Sequence, residues 1–219
     1  MDEMVNITID GSAVRARAGD KLLWVALENS IYIPHLCAIK ELSRPNAGCR
    51  LCFVEIEGVS GPVTSCTYPV GEGMVVKTRG KKVDRLVKTA FELLLSDHNL
   101  QCRECPANRA CELQKIARER GLKLQQRRFK SLNKVFVLDD SPGEFAFDRS
   151  RCVLCGQCVW VDREVAAVGA IGFVNRGVNR VVTTFQDVPL AESNCTECAL
   201  CVKACPVGAL YFREGHLKK

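Results

Sequence analysis

The stretch "RCVLCGQCVWVDREV", residues 151–165, carries three evenly spaced cysteines. They follow the pattern C-x2-C-x2-C, and Asp162 stands four residues after the third. The pattern returns later in the chain, and there a fourth cysteine before a proline completes it. The two motifs comprise Cys152, Cys155 and Cys158, then Cys195, Cys198, Cys201 and Cys205. Three evenly spaced thiolates, used twice, suit the corners of cubane iron–sulfur clusters better than closed tetrahedral zinc sites.

The chain as a whole is rich in cysteine, with 14 in 219 residues. No apolar run reaches the roughly 18 residues that a membrane-spanning helix needs. The N-terminus, "MDEMVNITID", lacks the basic and apolar segments of a signal peptide. We therefore expect a cytoplasmic protein without a membrane segment. Thiols stay reduced in that compartment, so the cysteines are expected to be metal ligands rather than disulfides.

The first 79 residues are predicted to form a small mixed sheet. Residues 5–9 alternate between apolar and polar, and Asp10-Gly11 signals a hairpin turn into a strand at residues 13–18. A helix capped by Asp20 is expected next, with Leu23, Ala26 and Leu27 facing inward. Further strands are predicted at residues 53–57, 63–68 and 74–78. Two strands, a helix and then more strands is the order of the β-grasp ferredoxin fold.

Four cysteines of this region have the spacing C-x11-C-x2-C-x13-C: Cys37, Cys49, Cys52 and Cys66. A planar two-iron cluster needs two thiolates on each iron, which four cysteines supply. Zinc is the alternative, because four cysteines with one close pair also suit tetrahedral Zn(II). Zinc ribbons usually use two close pairs, however, and here only one pair is close. We predict a [2Fe–2S] site.

The middle of the chain begins with a predicted amphipathic helix, Lys81 to about Ser96. Its apolar positions are Val83, Leu86, Val87, Ala90, Leu93 and Leu94. The helix runs into "SDHNLQCRECPANRAC", residues 96–111, with the spacing H-x3-C-x2-C-x5-C. The residues of this motif are His98, Cys102, Cys105 and Cys111. By themselves they would also suit a zinc knuckle.

Positive charge is concentrated in the same middle region of the chain. The net charge is +6, and residues 80–130 alone hold 13 Lys and Arg against 6 Asp and Glu. No helix-turn-helix, zinc finger or aromatic stacking platform accompanies this basic segment, which argues against a nucleic-acid partner. We interpret the segment as a solvated or partner-docking face.

The combined order of motifs resembles the N-terminal electron-transfer module of several oxidoreductases. They are the large iron–sulfur subunit of respiratory complex I, the small diaphorase subunit of NAD-reducing hydrogenases, [FeFe]-hydrogenases and NAD-dependent formate dehydrogenase α subunits. "AIGFVNRG", residues 170–177, adds to the resemblance. It implies an α+β protein with a β-grasp [2Fe–2S] ferredoxin domain (1–79), a small helical histidine-ligated [4Fe–4S] domain with a basic linker (80–141) and a two-cluster [4Fe–4S] ferredoxin-like domain (142–219).

The resemblance also implies ligand sets for one [2Fe–2S] and three [4Fe–4S] clusters. His98 would replace one thiolate in the set of Cys102, Cys105 and Cys111. In two-cluster ferredoxins the last cysteine of each motif ligates the other cluster. Cys205 would therefore complete the set of Cys152, Cys155 and Cys158. The set of Cys195, Cys198 and Cys201 then lacks a fourth ligand.

Asp162 occupies the position at which a cysteine would have supplied the missing ligand of that last set. Four clusters need one ligand more than the 14 cysteines and His98 supply. Three outcomes are open: Asp162 ligates a fourth iron, water or hydroxide does so, or the corner is empty and the cluster is [3Fe–4S]. In the last case Asp162 is an ordinary surface acid on the helix after the motif.

The motifs imply a protein that transfers electrons and leaves the catalysis to its partners. No G-x-G-x-x-G or P-loop motif is present, so no catalytic or nucleotide site is expected in the chain. The resemblance implies an electron-transfer subunit of an NAD(P)H-linked oxidoreductase complex. Its partners would be a flavin- and NAD(P)H-binding subunit and a catalytic subunit such as a hydrogenase or formate dehydrogenase. A free polyferredoxin or an iron–sulfur redox sensor are alternatives, but diffusible ferredoxins are commonly acidic and this chain is basic.

Overall fold

The computed structural model describes residues 3–125, 128–132 and 134–213. Arg127 of the basic segment and His216 lie outside these residues. The chain separates into two compact units, Met1–Leu93 and Leu94–Lys219, and both contain helices and strands. The predicted mixed α and β class is confirmed, whereas the division into three domains at residues 79 and 141 stays a prediction.

The first unit is built on a five-stranded sheet with the order β2-β1-β5-β3-β4. β1 pairs antiparallel with β2 and parallel with β5, and β3 pairs antiparallel with β4 and β5. The strands are β1 Met4–Ile9, β2 Ser12–Arg17, β3 Phe53–Ile56, β4 Val63–Thr64 and β5 Val75–Lys77. The helix α1, Leu22–Glu28, lies between β2 and β3 in the chain and contributes Leu22, Leu23, Val25 and Ala26 to the apolar core.

The predicted hairpin turn between β1 and β2 is present. Asp10 and Gly11 both have positive φ, 50° and 84°, a conformation that matches the right-handed twist of the flanking strands. The Asp10 carboxylate accepts hydrogen bonds from the backbone N–H of Thr78 (2.8 Å) and from its hydroxyl (2.5 Å). The turn is thereby tied to the chain that leaves β5.

Two local predictions in this unit are wrong. Asp20 does not cap α1: the N-cap is Lys21, without a side-chain cap, and the Asp20 carbonyl accepts the N–H of Val70. The chain thus enters α1 from a β-bridge between Lys21 and Pro69. The strand predicted at residues 63–68 ends at Thr64, because Thr67 N–H bonds back to the Thr64 carbonyl and turns the chain.

Helix α2 extends from Lys81 to Ser96, as predicted. Its most deeply buried side chains are spaced by four residues: Val83, Val87, Phe91 and Leu95. Leu93, predicted to face inward, is 50% exposed. The buried stripe is narrower than the sequence pattern indicates, because a spacing of four residues advances only about 40° around a helix with 3.6 residues per turn.

The second unit consists of short elements joined by cysteine-bearing loops. Its strands form two antiparallel pairs, β6 with β9 and β7 with β8. Helix α4 continues directly into a π-helical turn, Val161–Val165. Helix α5 packs against both α4 and that turn. The bounds are α3 Glu112–Arg120, β6 Phe145–Phe147, α4 Gln157–Trp160, β7 Ile171–Val174, β8 Val181–Thr184, α5 Leu200–Ala204 and β9 Leu210–Phe212.

Candidate iron–sulfur sites

The four cysteines of the first unit are all buried. Cys37, Cys49 and Cys52 come from the long connection between α1 and β3, and Cys66 follows β4. A hydrogen bond with Cys49 raises the pKa of Cys37, and the same contact lowers the pKa of Cys49. Cys66 and Cys52 behave alike, since their hydrogen bond raises the pKa of Cys66 and lowers that of Cys52. The structure thus groups the thiols as Cys37 with Cys49 and Cys52 with Cys66.

This grouping fits a two-iron cluster, in which each iron takes two thiolates. The backbone N–H of Cys49 donates to Cys37 Sγ at 3.3 Å, a contact that favours thiolate over thiol. On either side of Cys49, Ala47 and Arg50 have left-handed φ values of 47° and 54°. Non-glycine residues rarely adopt this conformation, and it is retained where surrounding structure or function demands it.

His98 lies just beyond the end of α2 and is 8% exposed. Burial lowers the pKa of His98 to about 4, so the imidazole is neutral at pH 7. Its Nδ1 atom is buried and has no hydrogen-bond partner among the residues that the structure describes. A neutral imidazole with an unpaired ring nitrogen has the protonation state that a metal ligand requires.

The three cysteines after His98 lie around a short 3-10 turn, Cys102–Glu104, and the start of α3. Burial raises the pKa of Cys111, and the neighbouring Cys105 and Cys102 raise it further. Arg109, two residues before Cys111, has a left-handed φ of 72°. Cys102 and Cys105 are thus close enough to Cys111 to affect its pKa, and the set with His98 as fourth ligand stays a prediction.

Cys205, the last cysteine of the second motif, lies close to the thiols of the first C-x2-C-x2-C motif. Burial raises the pKa of Cys152 to about 12, with a further rise from Cys205. Burial also raises the pKa of Cys158, and Cys152, Cys155 and Cys205 add to that rise. This placement agrees with the exchange of the last cysteine between two-cluster motifs.

Asp162 lies close to the thiols of the second motif, as Cys205 lies close to those of the first. Burial raises the pKa of Cys201 to about 12, and the neighbouring Cys195, Cys198 and Asp162 raise it further. Cys195 also has Asp162 among its charged neighbours. Asp162 is only 9% exposed, so the interpretation as a surface acid is wrong. Its Oδ2 accepts the backbone N–H of Ile171 at 3.1 Å.

Asp162 lies within the π-helical turn that follows α4. Single π turns inside helices occur frequently at functional sites. The turn is closed by the N–H of Ala166, which donates to the Val161 carbonyl, and the Asp162 carbonyl accepts the N–H of Val168. The local backbone thus holds Asp162 on the buried side of the helix. Nothing in the sequence spacing signalled this turn.

The two C-x2-C-x2-C loops share one backbone conformation. The second and fourth residues after the first cysteine have left-handed φ in both: Leu154 at 54° and Gly156 at 81°, then Glu197 at 53° and Ala199 at 56°. As a result, the N–H of Leu154 points at Cys152 Sγ and the N–H of Glu197 at Cys195 Sγ, each at 3.4 Å. Of these four residues only the glycine carries a signal in the sequence.

Within the described part of the chain, no three or more His, Cys, Asp or Glu side chains are grouped so as to hold a single metal ion. The cysteine-bearing loops, the backbone amides directed at their sulfurs and the paired motifs together are typical of iron–sulfur proteins.

Family models for iron–sulfur domains match most of the chain. A 2Fe-2S iron-sulfur cluster binding domain matches residues 2–81. The NADH-ubiquinone oxidoreductase-G iron-sulfur binding region matches residues 88–126. The ferredoxin-like domain of NADH-quinone oxidoreductase subunit 3 matches residues 145–211. The predicted iron–sulfur nature of the chain, with both 2Fe-2S and 4Fe-4S types of domain, is confirmed over the zinc alternatives.

Curated relatives align with nearly the whole chain. The chain is 38% identical over 214 residues to the NADPH-Fe(3+) oxidoreductase subunit alpha of Geobacter sulfurreducens. It is 34% identical over 215 residues to the NADP-reducing hydrogenase subunit HndD of Solidesulfovibrio fructosivorans. These alignments cover 94% and 96% of the chain but only 24% and 36% of the relatives, so the chain spans about a quarter to a third of their length.

A solved structure matches the fold over nearly the whole chain. It belongs to an NAD+-reducing [NiFe]-hydrogenase, with a TM-score of 0.85 and 27% identity over 98% of this chain and 90% of that chain. The chain is homologous to NADH-quinone oxidoreductase G subunits and to subunits of NAD- and NADP-reducing hydrogenases. In the described residues, no helix is long and apolar enough to cross a membrane.

Proposed function

We propose that this chain binds one [2Fe–2S] and three [4Fe–4S] clusters and relays single electrons between two partners in a cytoplasmic complex. One partner is a flavin- and NAD(P)H-binding subunit, and the other is a catalytic oxidoreductase subunit. The ligand sets proposed are Cys37, Cys49, Cys52 and Cys66; His98, Cys102, Cys105 and Cys111; Cys152, Cys155, Cys158 and Cys205; and Cys195, Cys198, Cys201 and Asp162.

The observation that carries the proposal is the exchange between the two paired motifs. Cys205 neighbours Cys152 and Cys158, although 47 residues separate it from Cys158 in the sequence. Asp162 neighbours Cys195 and Cys201 in return. These neighbours support an exchange of one residue between the two motifs, as in two-cluster ferredoxins. A chain that held only zinc would need no such exchange.

Asp162 is proposed as the fourth ligand rather than a bystander. Burying a carboxylate without a partner costs several kcal/mol, and the N–H of Ile171 occupies only Oδ2. Ligation of iron by the other oxygen would satisfy the remaining charge. A carboxylate is harder than a thiolate but acceptable to iron.

The protein's own part is to hold, space and shield the clusters, which supply one-electron redox chemistry when bound. A nicotinamide gives two electrons as hydride, so a flavin must lie between it and one-electron carriers. The relatives' names include NADPH-Fe(3+) oxidoreductase and NADP-reducing hydrogenase. These names support the proposed partners but do not distinguish NADH from NADPH.

The experiment is anaerobic reduction of the purified chain, followed through cluster absorbance. NADH or NADPH alone should leave the chain oxidised, and a flavoprotein of the complex I NADH-binding type from the same organism should then reduce it. Rapid reduction by the nucleotide without the flavoprotein would overturn the proposal. Reduction at equal rates by unrelated flavoproteins would favour a free polyferredoxin.

The basic segment is proposed as the docking face for one partner. Lys81 and Lys82 are exposed on α2, and replacing both with Glu should slow reduction by the flavoprotein and weaken its dependence on salt. The control is Arg15→Glu with Arg44→Glu, the same charge change at exposed positions outside the segment. Equal effects of both double variants would exclude a specific docking role for α2.

A further inference from the structure

Two loops of the second unit meet at Gly208, a buried residue in the turn between α5 and β9. A Cβ atom built on Gly208 would lie 2.5 Å from Cys105 Sγ, and Ala107 Cβ and N would follow at 3.4 and 3.5 Å. The backbone of Gly208 is not left-handed. The constraint on a side chain at Gly208 is therefore one of space around Cys105 Sγ and not of backbone conformation.

A second contact holds the same two loops together. The backbone N–H of Glu112 donates to the carbonyl of Pro206 at 2.9 Å. Burial raises the pKa of Cys205, and the nearby Cys105 raises it further. The loop from Cys102 to Cys111 thus lies on the turn that follows Cys205. Two thiols that belong to different proposed ligand sets are neighbours across this contact.

We infer that Gly208 is a positioning residue for electron transfer between these two ligand sets. Its missing side chain lets Cys105 lie against the Cys205 turn, and this contact is the route by which an electron passes. The inference rests on the proposed function. The step moves one electron from one set to the other and breaks no bond, so one set is oxidised as the other is reduced.

The steric argument is stronger for a ligand than for a free thiol. A free cysteine could rotate its Sγ away from an added methyl group at little cost. Bound to iron, Cys105 has its side-chain torsion determined by the cluster, so the backbone of one loop must move instead. Because interiors are close-packed, such a shift spreads to neighbouring groups. Electronic coupling falls steeply as two redox centres separate, so a small displacement slows transfer.

The test compares Gly208→Ala with Gly172→Ala. Gly172 lies in β7 of the same unit, also lacks a left-handed φ, and its added Cβ would meet nothing within 4 Å. Each protein is reduced stepwise with dithionite, and spin–spin interaction between the reduced clusters is measured by electron paramagnetic resonance. Internal electron transfer is timed after flash reduction.

Wild type and Gly172→Ala should show the same spin–spin interaction and the same transfer rate. Gly208→Ala should retain its iron yet show a weaker interaction and a several-fold slower transfer. Unchanged interaction and rate in iron-loaded Gly208→Ala would overturn the inference. A purely structural role would lower thermal stability without changing transfer in the iron-loaded protein.

If Gly208→Ala fails to load iron, the wild-type measurement decides. Interaction between the cluster whose signal responds to His98→Ala and a second [4Fe–4S] cluster supports the contact, and its absence overturns it. A wild-type protein without [4Fe–4S] signals would instead refute the proposed function, so the two failures are distinguishable.

Discussion

Burial distinguishes the two unusual ligand candidates, Asp162 and His98, from ordinary polar residues. Their exposed fractions are 9% and 8%. Buried polar atoms normally have hydrogen-bond partners, because an unmade bond costs about 1–3 kcal/mol. The Nδ1 of His98 has none in the described chain, and Asp162 uses one oxygen for a backbone amide. Both residues therefore have capacity left for a metal.

Replacing Asp162 should change the cluster at Cys195, Cys198 and Cys201. Asp162→Ala is expected to yield a paramagnetic [3Fe–4S] signal in the oxidised protein, because one iron loses its protein ligand. Asp162→Cys should retain the full iron content without that signal. Iron analysis and electron paramagnetic resonance check both variants. A [3Fe–4S] signal already present in wild type would contradict ligation by Asp162.

Replacing His98 should disturb only the cluster at Cys102, Cys105 and Cys111. His98→Cys should retain the cluster but lower its reduction potential, because thiolate adds the negative charge that imidazole lacks. His35→Ala is the control, since its Nδ1 contacts the Ile33 carbonyl at 2.9 Å and it lies in the first unit, outside the His98 motif. Redox titration measures the potentials. Identical potentials in wild type and His98→Cys would show that His98 is a bystander.

At the scale of single elements, periodicity proved reliable where burial is one-sided. Helix α2 begins at Lys81 and ends close to the predicted position, and the hairpin of β1 and β2 lies where Asp10-Gly11 indicated. The cysteine loops were not predictable in detail. Their left-handed residues, such as Leu154 and Glu197, have no propensity for that conformation. The surrounding structure imposes it and thereby directs amides at the sulfurs.

The repeated loops allow a paired test of this strain at Gly156 and Ala199, which have equivalent positions. Ala199→Gly should raise the free energy of unfolding and Gly156→Ala should lower it, each by about 0.5–1 kcal/mol. The reason is that a Cβ atom in left-handed backbone costs more free energy than the additional conformational entropy that glycine loses on folding. Thermal midpoints of cluster bleaching under anaerobic conditions measure the changes. Shifts of the same sign in both variants would contradict a shared conformation.

At the scale of the whole molecule, different interactions stabilise each of the two units. The first has an apolar core that extends from β1 to β5 and includes α1. In the second, the strands have three or four residues each, and the cysteines lie in loops and short helices. Small metal-binding domains often depend on the bound metal for folding.

Removal of iron should therefore affect the units unequally. After anaerobic chelation, amides of β1 and β5 should stay protected from hydrogen exchange, while those of residues 102–111, 152–158 and 195–205 should lose protection. Mass spectrometry of exchanged peptides measures this directly. Restoring iron and sulfide should restore protection. Uniform loss of protection along the chain would show that the first unit also depends on its cluster.

The sequence by itself determined the cysteine groups, the order of elements in the first unit, helix α2 and the iron–sulfur family. These follow from ligand spacing and hydrophobic periodicity, which are local properties of the chain. Only the tertiary structure decided that Asp162 is buried beside Cys195 and Cys201 and that Gly208 leaves room for Cys105. Each of these depends on the packing of segments far apart in sequence, because burial and contact are properties of the folded chain and not of any local pattern.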